Sequence, residues 1–282
     1  MSHTIAVTGA TGQLGRLVIA ALKTRLPASE IVALVRDPAK AQDLGVTTRA
    51  FNYNTPDAAA LEGVEKLLLI SGSEIGQREA QHKAVIAATK AAGVKFIAYT
   101  SLLRADSSAL DLAVEHKATE EAVKASGLPF TLLRNSWYTE NYAGSIAAAL
   151  AHGALVGSAA AGKASAAARA DYAEAAAVVL TTSGHEGKTY ELAGDTAFTL
   201  SDLAEEISRQ SGKQIPYHDL PIREYAKILE GAGLPAPFAA MVAGWEGPIS
   251  LGALFDDSHT LSKLINRPTT PISALIAGLV KG

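Results

Sequence analysis

Apolar positions along the chain fall into two alternating rhythms. Short runs such as Ile5-Ala6-Val7, Ile31-Val32-Ala33-Leu34-Val35, Leu67-Leu68-Leu69-Ile70 and Phe96-Ile97-Ala98-Tyr99 are apolar at every position, as strands covered on both faces are. Between them lie stretches with helical spacing, for example Leu14, Val18 and Leu22. The pattern predicts strands over residues 4–7, 31–35, 46–50, 65–70, 95–100 and 130–133. Helices are expected over 13–26, from Pro38 to Gly45, from Asp57 to Gly63, and over 79–92 and 111–126. Strand and helix alternating at this rhythm mean right-handed crossovers and a parallel α/β sheet.

Beyond residue 142 the rhythm loosens. The alanine-rich stretch 143–177 is interrupted by polar residues at helical spacing and reads as helices with a small-residue loop. Residues 154–156 and 189–193 read as strands that extend or flank the sheet, and 200–210, 222–229, 238–245 and 274–280 as helices. The expected organisation is a Rossmann domain, a doubly wound parallel sheet, over 1–142, with 143–282 forming mostly a smaller C-terminal α/β substrate lobe from which some segments return to the sheet. Phe238, Met241 and Trp245 of that lobe can either roof a substrate pocket or serve as ordinary core.

Charge and composition narrow the partners. A net charge of −3 and no local lysine or arginine cluster give no field for nucleic acid. The absence of cysteine excludes disulfides, a thiol nucleophile and a zinc–thiolate site. With no membrane-length apolar run and no basic-then-apolar leader, a cytoplasmic protein is expected, its self-association left open.

A doubly wound sheet binds ligands beyond the carboxyl ends of its strands, so the loops there are the candidate site. After the first strand come Gly9, Ala10, Thr11, Gly12, Gln13, Leu14 and Gly15, with glycines spaced GxxGxxG. Gly9 suits a tight turn, Gly12 close approach to a phosphate, and Gly15 close helix–strand contact. Ser71, Gly72 and Ser73 follow the fourth strand, Thr100 and Ser101 the fifth, and Asn135, Ser136, Trp137 and Tyr138 the sixth. Arg36 ends the second strand, where NAD-preferring sites usually place an acid for the ribose 2′-hydroxyl; an arginine accommodates a 2′-phosphate, so NADPH is the expected cofactor. Lys40 can add a second charge one turn on, while Asp37, just before Pro38, reads as a helix N-cap.

These motifs, together with the segments Gly93-Val94-Lys95-Phe96-Ile97-Ala98-Tyr99-Thr100-Ser101, Leu132-Leu133-Arg134-Asn135-Ser136-Trp137-Tyr138, Leu192-Ala193-Gly194-Asp195 and Phe255-Asp256-Asp257-Ser258, resemble the NmrA-like group of atypical short-chain dehydrogenases over essentially the whole length. The resemblance implies that the glycine turn holds a pyrophosphate, that Arg36 holds the adenosine 2′-phosphate, and that Ser71 to Ser73 lie near the central ribose and diphosphate. It also implies that Asn135, Ser136, Trp137, Tyr138, Thr139, Glu140 and Asn141 border nicotinamide and substrate, with Arg169 nearby. An alternative for Arg169 is a helix-start ion pair with Asp171 or Glu174.

No Tyr-x-x-x-Lys, the acid/base pair of most short-chain dehydrogenases, occurs in the chain. On the helix where it belongs, His116 and Glu120 share a face at i, i+4. They are either a proton relay or an ordinary intrahelical pair; His116 and Tyr138 are the weak candidates for a catalytic group. Without that acid the chemistry narrows to acceptors that take hydride unaided. A quinone is the expected small-molecule substrate, another conjugated acceptor such as a triphenylmethane dye an alternative, and a non-catalytic NADP(H)-sensing regulator a third reading. Trp137 and Tyr138 can stack on such a ring or pack beneath the lobe.

Overall fold

Continuous apolar runs become central strands because only a sheet covered on both faces hides every side chain of such a run. The computed structural model describes residues 4–281. The chain passes through β1 (Ile5–Thr8), α1 (Gln13–Lys23), β2 (Ile31–Val35), β3 (Thr47–Ala50), β4 (Lys66–Leu69), α2 (Arg78–Ala91), β5 (Phe96–Leu102), α3 (Leu112–Ala125) and β6 (Phe130–Asn135). It continues through α4 (Ala143–His152), β7 (Leu155–Gly157), α5 (Arg169–Thr181), β8 (Lys188–Leu192), α6 (Leu200–Ser211) and β9 (Tyr217–Asp219). The last elements are α7 (Ile222–Gly231), α8 (Ala236–Ser250), α9 (Thr260–Ile265) and α10 (Ile272–Lys281).

Seven parallel strands form the main sheet in the order β3-β2-β1-β4-β5-β6-β8, so the winding reverses between β1 and β4. This is the doubly wound α/β sheet expected, with its switch point beside the glycine turn. α1 and α5 cover one face, where Val18 and Leu22 meet Ala173, Ala176 and Ala177; the small side chains of α5 let the two helices approach closely. α2 and α3 cover the other face around Val85, Ile97, Tyr99 and Val123. The links from β2 to β3 and from β3 to β4 are 3-10 turns, Pro38–Leu44 and Ala58–Leu61, rather than α-helices. Asp37 and Asp57 cap them by accepting from the amides of Ala39 (3.1 Å) and Ala59 (2.9 Å).

The second half contributes to both bodies: β8 pairs with β6, and α5 and α9 pack with the sheet. The expected strand at 154–156 does not extend or flank the main sheet. β7 instead pairs in parallel with β9, a three-residue strand without a readable apolar pattern, in a separate two-stranded sheet. α4, α6 and α10 pack around Ile146, Leu203, Ile207 and Ile276, and α7 lies against α8. No helix among the described residues is long and apolar enough to cross a membrane.

One buried acid ties the chain's end to the sheet. Asp171, wholly buried near the start of α5, accepts from Arg267 Nη2 (2.7 Å), the Thr270 amide (2.7 Å) and Thr270 Oγ1 (3.1 Å). Asp171→Ala should lower the unfolding free energy by about 1–3 kcal/mol, the cost of leaving buried donors unpaired. Urea titration of the two proteins measures it, and an unchanged midpoint would show that this cluster does not anchor the segment before α10.

Candidate active site

A cleft of about 720 Å³ opens at the carboxyl ends of the sheet strands. Gly9 turns the chain at φ +59°, a backbone that favours glycine, and Gly12, the residue before α1, provides no side-chain cap. The amides of the first turn are therefore left for a ligand at the positive end of the helix dipole. A Cβ on Gly15 would stand 2.3 Å from the Gly9 carbonyl oxygen and 2.7 Å from Ala10 Cα, which makes Gly15 the point of closest contact between helix and turn.

Most residues expected from the sequence do meet here. Gly9, Thr11, Gly12, Gln13, Leu14, Gly15 and Arg36 line one end of the cleft, and Ser71, Gly72, Ser73, Thr100 and Ser101 its middle. Asn135, Ser136, Trp137, Tyr138, Asn141 and Arg169 line the other end. Four do not line it. Ala10 is buried beneath the turn, and Lys40 pairs with Asp37 at 3.8 Å. Thr139 is buried, and Glu140 is held against Arg169, accepting from its amide at 3.0 Å.

Arg169 makes no ion pair with Asp171 or Glu174, because Arg267 from the distant C-terminal segment holds both acids. Its guanidinium pairs instead with Glu140 (3.7 Å), donates to Asn141 Oδ1 (2.8 Å) and lies 4.7 Å over the Tyr138 ring. Tyr138 also packs edge-on against Tyr172, and Trp137 against Trp245, with centroids 5.3 and 5.6 Å apart.

His116 and Glu120 are not the intrahelical pair that their spacing allows. His116 Nδ1 lies 2.8 Å from the Tyr99 hydroxyl. Glu120 accepts from Ser101 Oγ (2.6 Å) and from Arg134 through both Nε (2.8 Å) and Nη2 (2.7 Å). Both side chains point into the protein, and each finds a better partner on a neighbouring strand. Burial, with help from the nearby Arg78 charge, pushes the His116 imidazole down to about 3.

Several wall residues had no signal in the sequence. Tyr53, from the loop after β3, places its hydroxyl 2.6 Å from Thr8 Oγ1 and 2.7 Å from the Ile70 carbonyl. Arg78, at the start of α2, donates from Nε to the Gly72 carbonyl (2.6 Å). Behind the wall, the fully buried His82 accepts the Gly72 amide at Nε2 (2.9 Å). It must therefore carry its proton on Nδ1, which faces Thr119 Oγ1 at 2.9 Å, and burial holds its imidazole down at about 4.

The residues present fit a polar, phosphate-bearing ligand. Among the described residues, four buried side-chain atoms lack a hydrogen-bond partner, and three of them, Ser71 Oγ, Arg78 Nη1 and Asn135 Oδ1, belong to residues of this cleft's wall. A glycine-bound helix N-terminus, a terminal arginine and these unpaired atoms lie along one trough.

Sheet order, switch point and glycine turn define a Rossmann-type α/β protein. The chain belongs to the NmrA-like family, whose profile matches residues 1–246. It is 56% identical to quinone oxidoreductase 2 of Escherichia coli strain K12 over 280 residues, 98% of each chain. The crystal structure of an E. coli NADPH-dependent quinone oxidoreductase complexed with NADPH superposes with a TM-score of 0.94 at 56% identity, covering 98% of this chain and 99% of that one. Triphenylmethane reductase of Citrobacter sp. complexed with NADP(H) also gives a TM-score of 0.94, at 41% identity over 98% of this chain and 100% of that one.

The two buried histidines carry a pH signature. Each has a folded pKa below its ordinary 6.5, at about 4 for His82 and about 3 for His116. The stability each contributes is thus present above pH 6.5 and lost as pH falls through those values. His116→Gln should lose less stability than the unaltered protein between pH about 6.5 and about 4, measured by urea unfolding. Parallel curves for the two proteins would mean that His116 is not held neutral.

Proposed function

We propose that this protein is a cytoplasmic NADPH-dependent reductase that transfers hydride to quinones. The observation that carries the reading is the 56% identity, across 98% of both chains, with a protein named quinone oxidoreductase 2. The cleft is built to match. Gly9, Ala10, Thr11, Gly12, Gln13, Leu14 and Gly15 form the pyrophosphate cradle, and Arg36 receives the 2′-phosphate by paired, charge-assisted hydrogen bonds. Lys40, turned to Asp37, adds charge nearby without lining the cleft. Ser71, Gly72, Ser73, Thr100 and Ser101 take the middle of the dinucleotide, with Ser71 Oγ and Arg78 Nη1 offering unpaired polar atoms.

NADPH, when bound, supplies the hydride. The chain's own task is to hold the two rings in register and keep bulk water out, with Asn135, Ser136, Trp137, Tyr138 and Asn141 at the reacting end and Arg169 steadying the Tyr138 ring. No poised acid stands there. Burial raises the Tyr99 and Tyr138 hydroxyls above the ordinary tyrosine range, and His116 stays neutral. A reduced quinone is a stabilised aromatic anion that takes its proton from solvent, so the chemistry matches a site without Tyr-x-x-x-Lys.

Purified protein should oxidise NADPH in the presence of simple quinones, followed by nicotinamide absorbance. Cofactor binding with no turnover on any quinone would instead identify an NADP(H)-sensing regulator. Arg36→Ala should weaken NADPH binding by about 1.5–3 kcal/mol while barely changing NADH binding. Equal losses would remove Arg36 from 2′-phosphate recognition. His116→Ala should keep quinone reduction within about tenfold, whereas a loss of about a hundredfold or more would make it a general acid.

A further inference from the structure

A second cavity, of about 680 Å³, adjoins the cleft and shares Trp137 and Asn141 with it. α4, α7, α8 and β7 supply half of its wall, and loops with the start of α6 most of the rest. The wall is aromatic, with Trp137, Tyr142, Phe198, Tyr225 and Trp245, and its one charged side chain is Glu246. No lysine or arginine lines it. Glu246 Oε2 is the fourth buried atom without a hydrogen-bond partner among the described residues.

A carboxyl that keeps one buried oxygen without a partner and has no counter-charge costs stability in an apolar chamber unless a ligand compensates it. Here the fold offers no cation. Burial pushes the Glu246 carboxyl up to about 7, the nearby Asp219 acid adds to the push, and a backbone hydrogen bond at Ser158 opposes it. The tyrosines around it, Tyr142 and Tyr225, are themselves raised by burial and stay neutral. Aromatic faces around one carboxylate are the two components that bind an organic cation, and the volume suits a molecule of a few fused or linked rings.

We propose that this chamber is a second compartment of the acceptor site, receiving the far end of a conjugated acceptor that carries a positive charge, with Glu246 selecting for that charge. The proposal rests on the reductase reading of the adjoining cleft. Trp137 belongs to both walls, so an acceptor whose reacting ring lies at the Asn135 end extends past it toward Glu246. An acceptor with a negatively charged far end meets an acid and no counter-charge.

The chain's two tryptophans both line this chamber, so intrinsic fluorescence reads its occupancy without turnover. Protein saturated with NADP⁺ is titrated with benzyltrimethylammonium and, separately, benzenesulfonate at a pH above 7. The ammonium should bind at least about tenfold more tightly than the sulfonate, and Glu246→Gln should remove most of that preference while still binding NADP⁺, which shows it folded. Equal affinities in the unaltered protein, or a preference that Glu246→Gln leaves intact, would overturn the proposal. Turnover separates it from the reading on which it rests. Quinones bearing an ammonium should show a higher kcat/KM than sulfonated ones, and that ratio should collapse in Glu246→Gln. Reduction of both at equal kcat/KM sinks the charge-selecting compartment alone. Glu246-dependent ammonium binding with no quinone turnover sinks the reductase reading and leaves a cation-binding chamber.

Discussion

The site depends on one close approach. Helix α1 sits so near the turn after β1 that no side chain fits between them at Gly15, where a Cβ would lie 2.3 Å from the Gly9 carbonyl. That contact aims the uncapped start of α1 across the carboxyl ends of the sheet. It is compatible with the sheet only because β1 is central, hydrogen-bonded to β2 on one side and to β4 on the other. The residues after those two strands, Arg36 and Ser71, then fall on either side of the helix start. A bulkier residue at position 15 would move the helix, and with it the electrostatic focus of the cleft.

A second constraint decides what the cleft can do. Arg134 on β6, with a side chain 6% exposed, joins Glu120 of α3, Glu191 of β8 (2.8 Å) and Asp106 (3.0 Å). Breaking such a buried cluster by removing one member strands the remaining charges. Glu120 is thereby committed to structure, and the adjacent turn of α3 commits His116 to Tyr99. The helix that carries the proton-transfer pair in most short-chain dehydrogenases here spends its inward face on bonds that hold the sheet together. Absence of a mobile acid on this helix is thus built into the packing as well as into the missing motif, and the proposed reaction needs none, because a reduced quinone is a stable anion.

The sheet was legible because β1, β2, β4 and β5 are apolar at nearly every position, which only a strand buried on both faces explains, and glycines or prolines punctuate their ends. The glycine turn and Arg36 were legible for a local reason: strand, turn and helix are contiguous, so spacing alone brings those residues together. Tyr53 and Arg78 were not, since they reach the cleft through a loop and a helix start whose sequence carries no periodic signal. The Arg169 alternatives divide the same way. A helix-start ion pair with Asp171 was sound local reasoning, but Arg267, 96 residues further on, takes that acid and leaves Arg169 to Glu140, Asn141 and the Tyr138 ring. Local rules name the candidates for a polar side chain, and long-range competition chooses among them.

The same competition shows where ligand free energy can go. A fold that pairs Asp171, Glu120 and Arg134 completely has the means to satisfy its buried polar atoms, yet Ser71, Arg78, Asn135 and Glu246 each keep one atom without a partner. Each such atom costs about 1–3 kcal/mol while it stays dry and unpaired. Scattered through the core, they would be defects; gathered on the walls of two adjoining cavities, they are a cost recovered when a ligand supplies the missing partners. The two walls also differ in kind. One offers donors, amides and a terminal arginine, suited to phosphates, and the other offers aromatic faces and a single acid, suited to the opposite charge. Trp137 stands in both walls, so the two kinds of surface meet at one side chain.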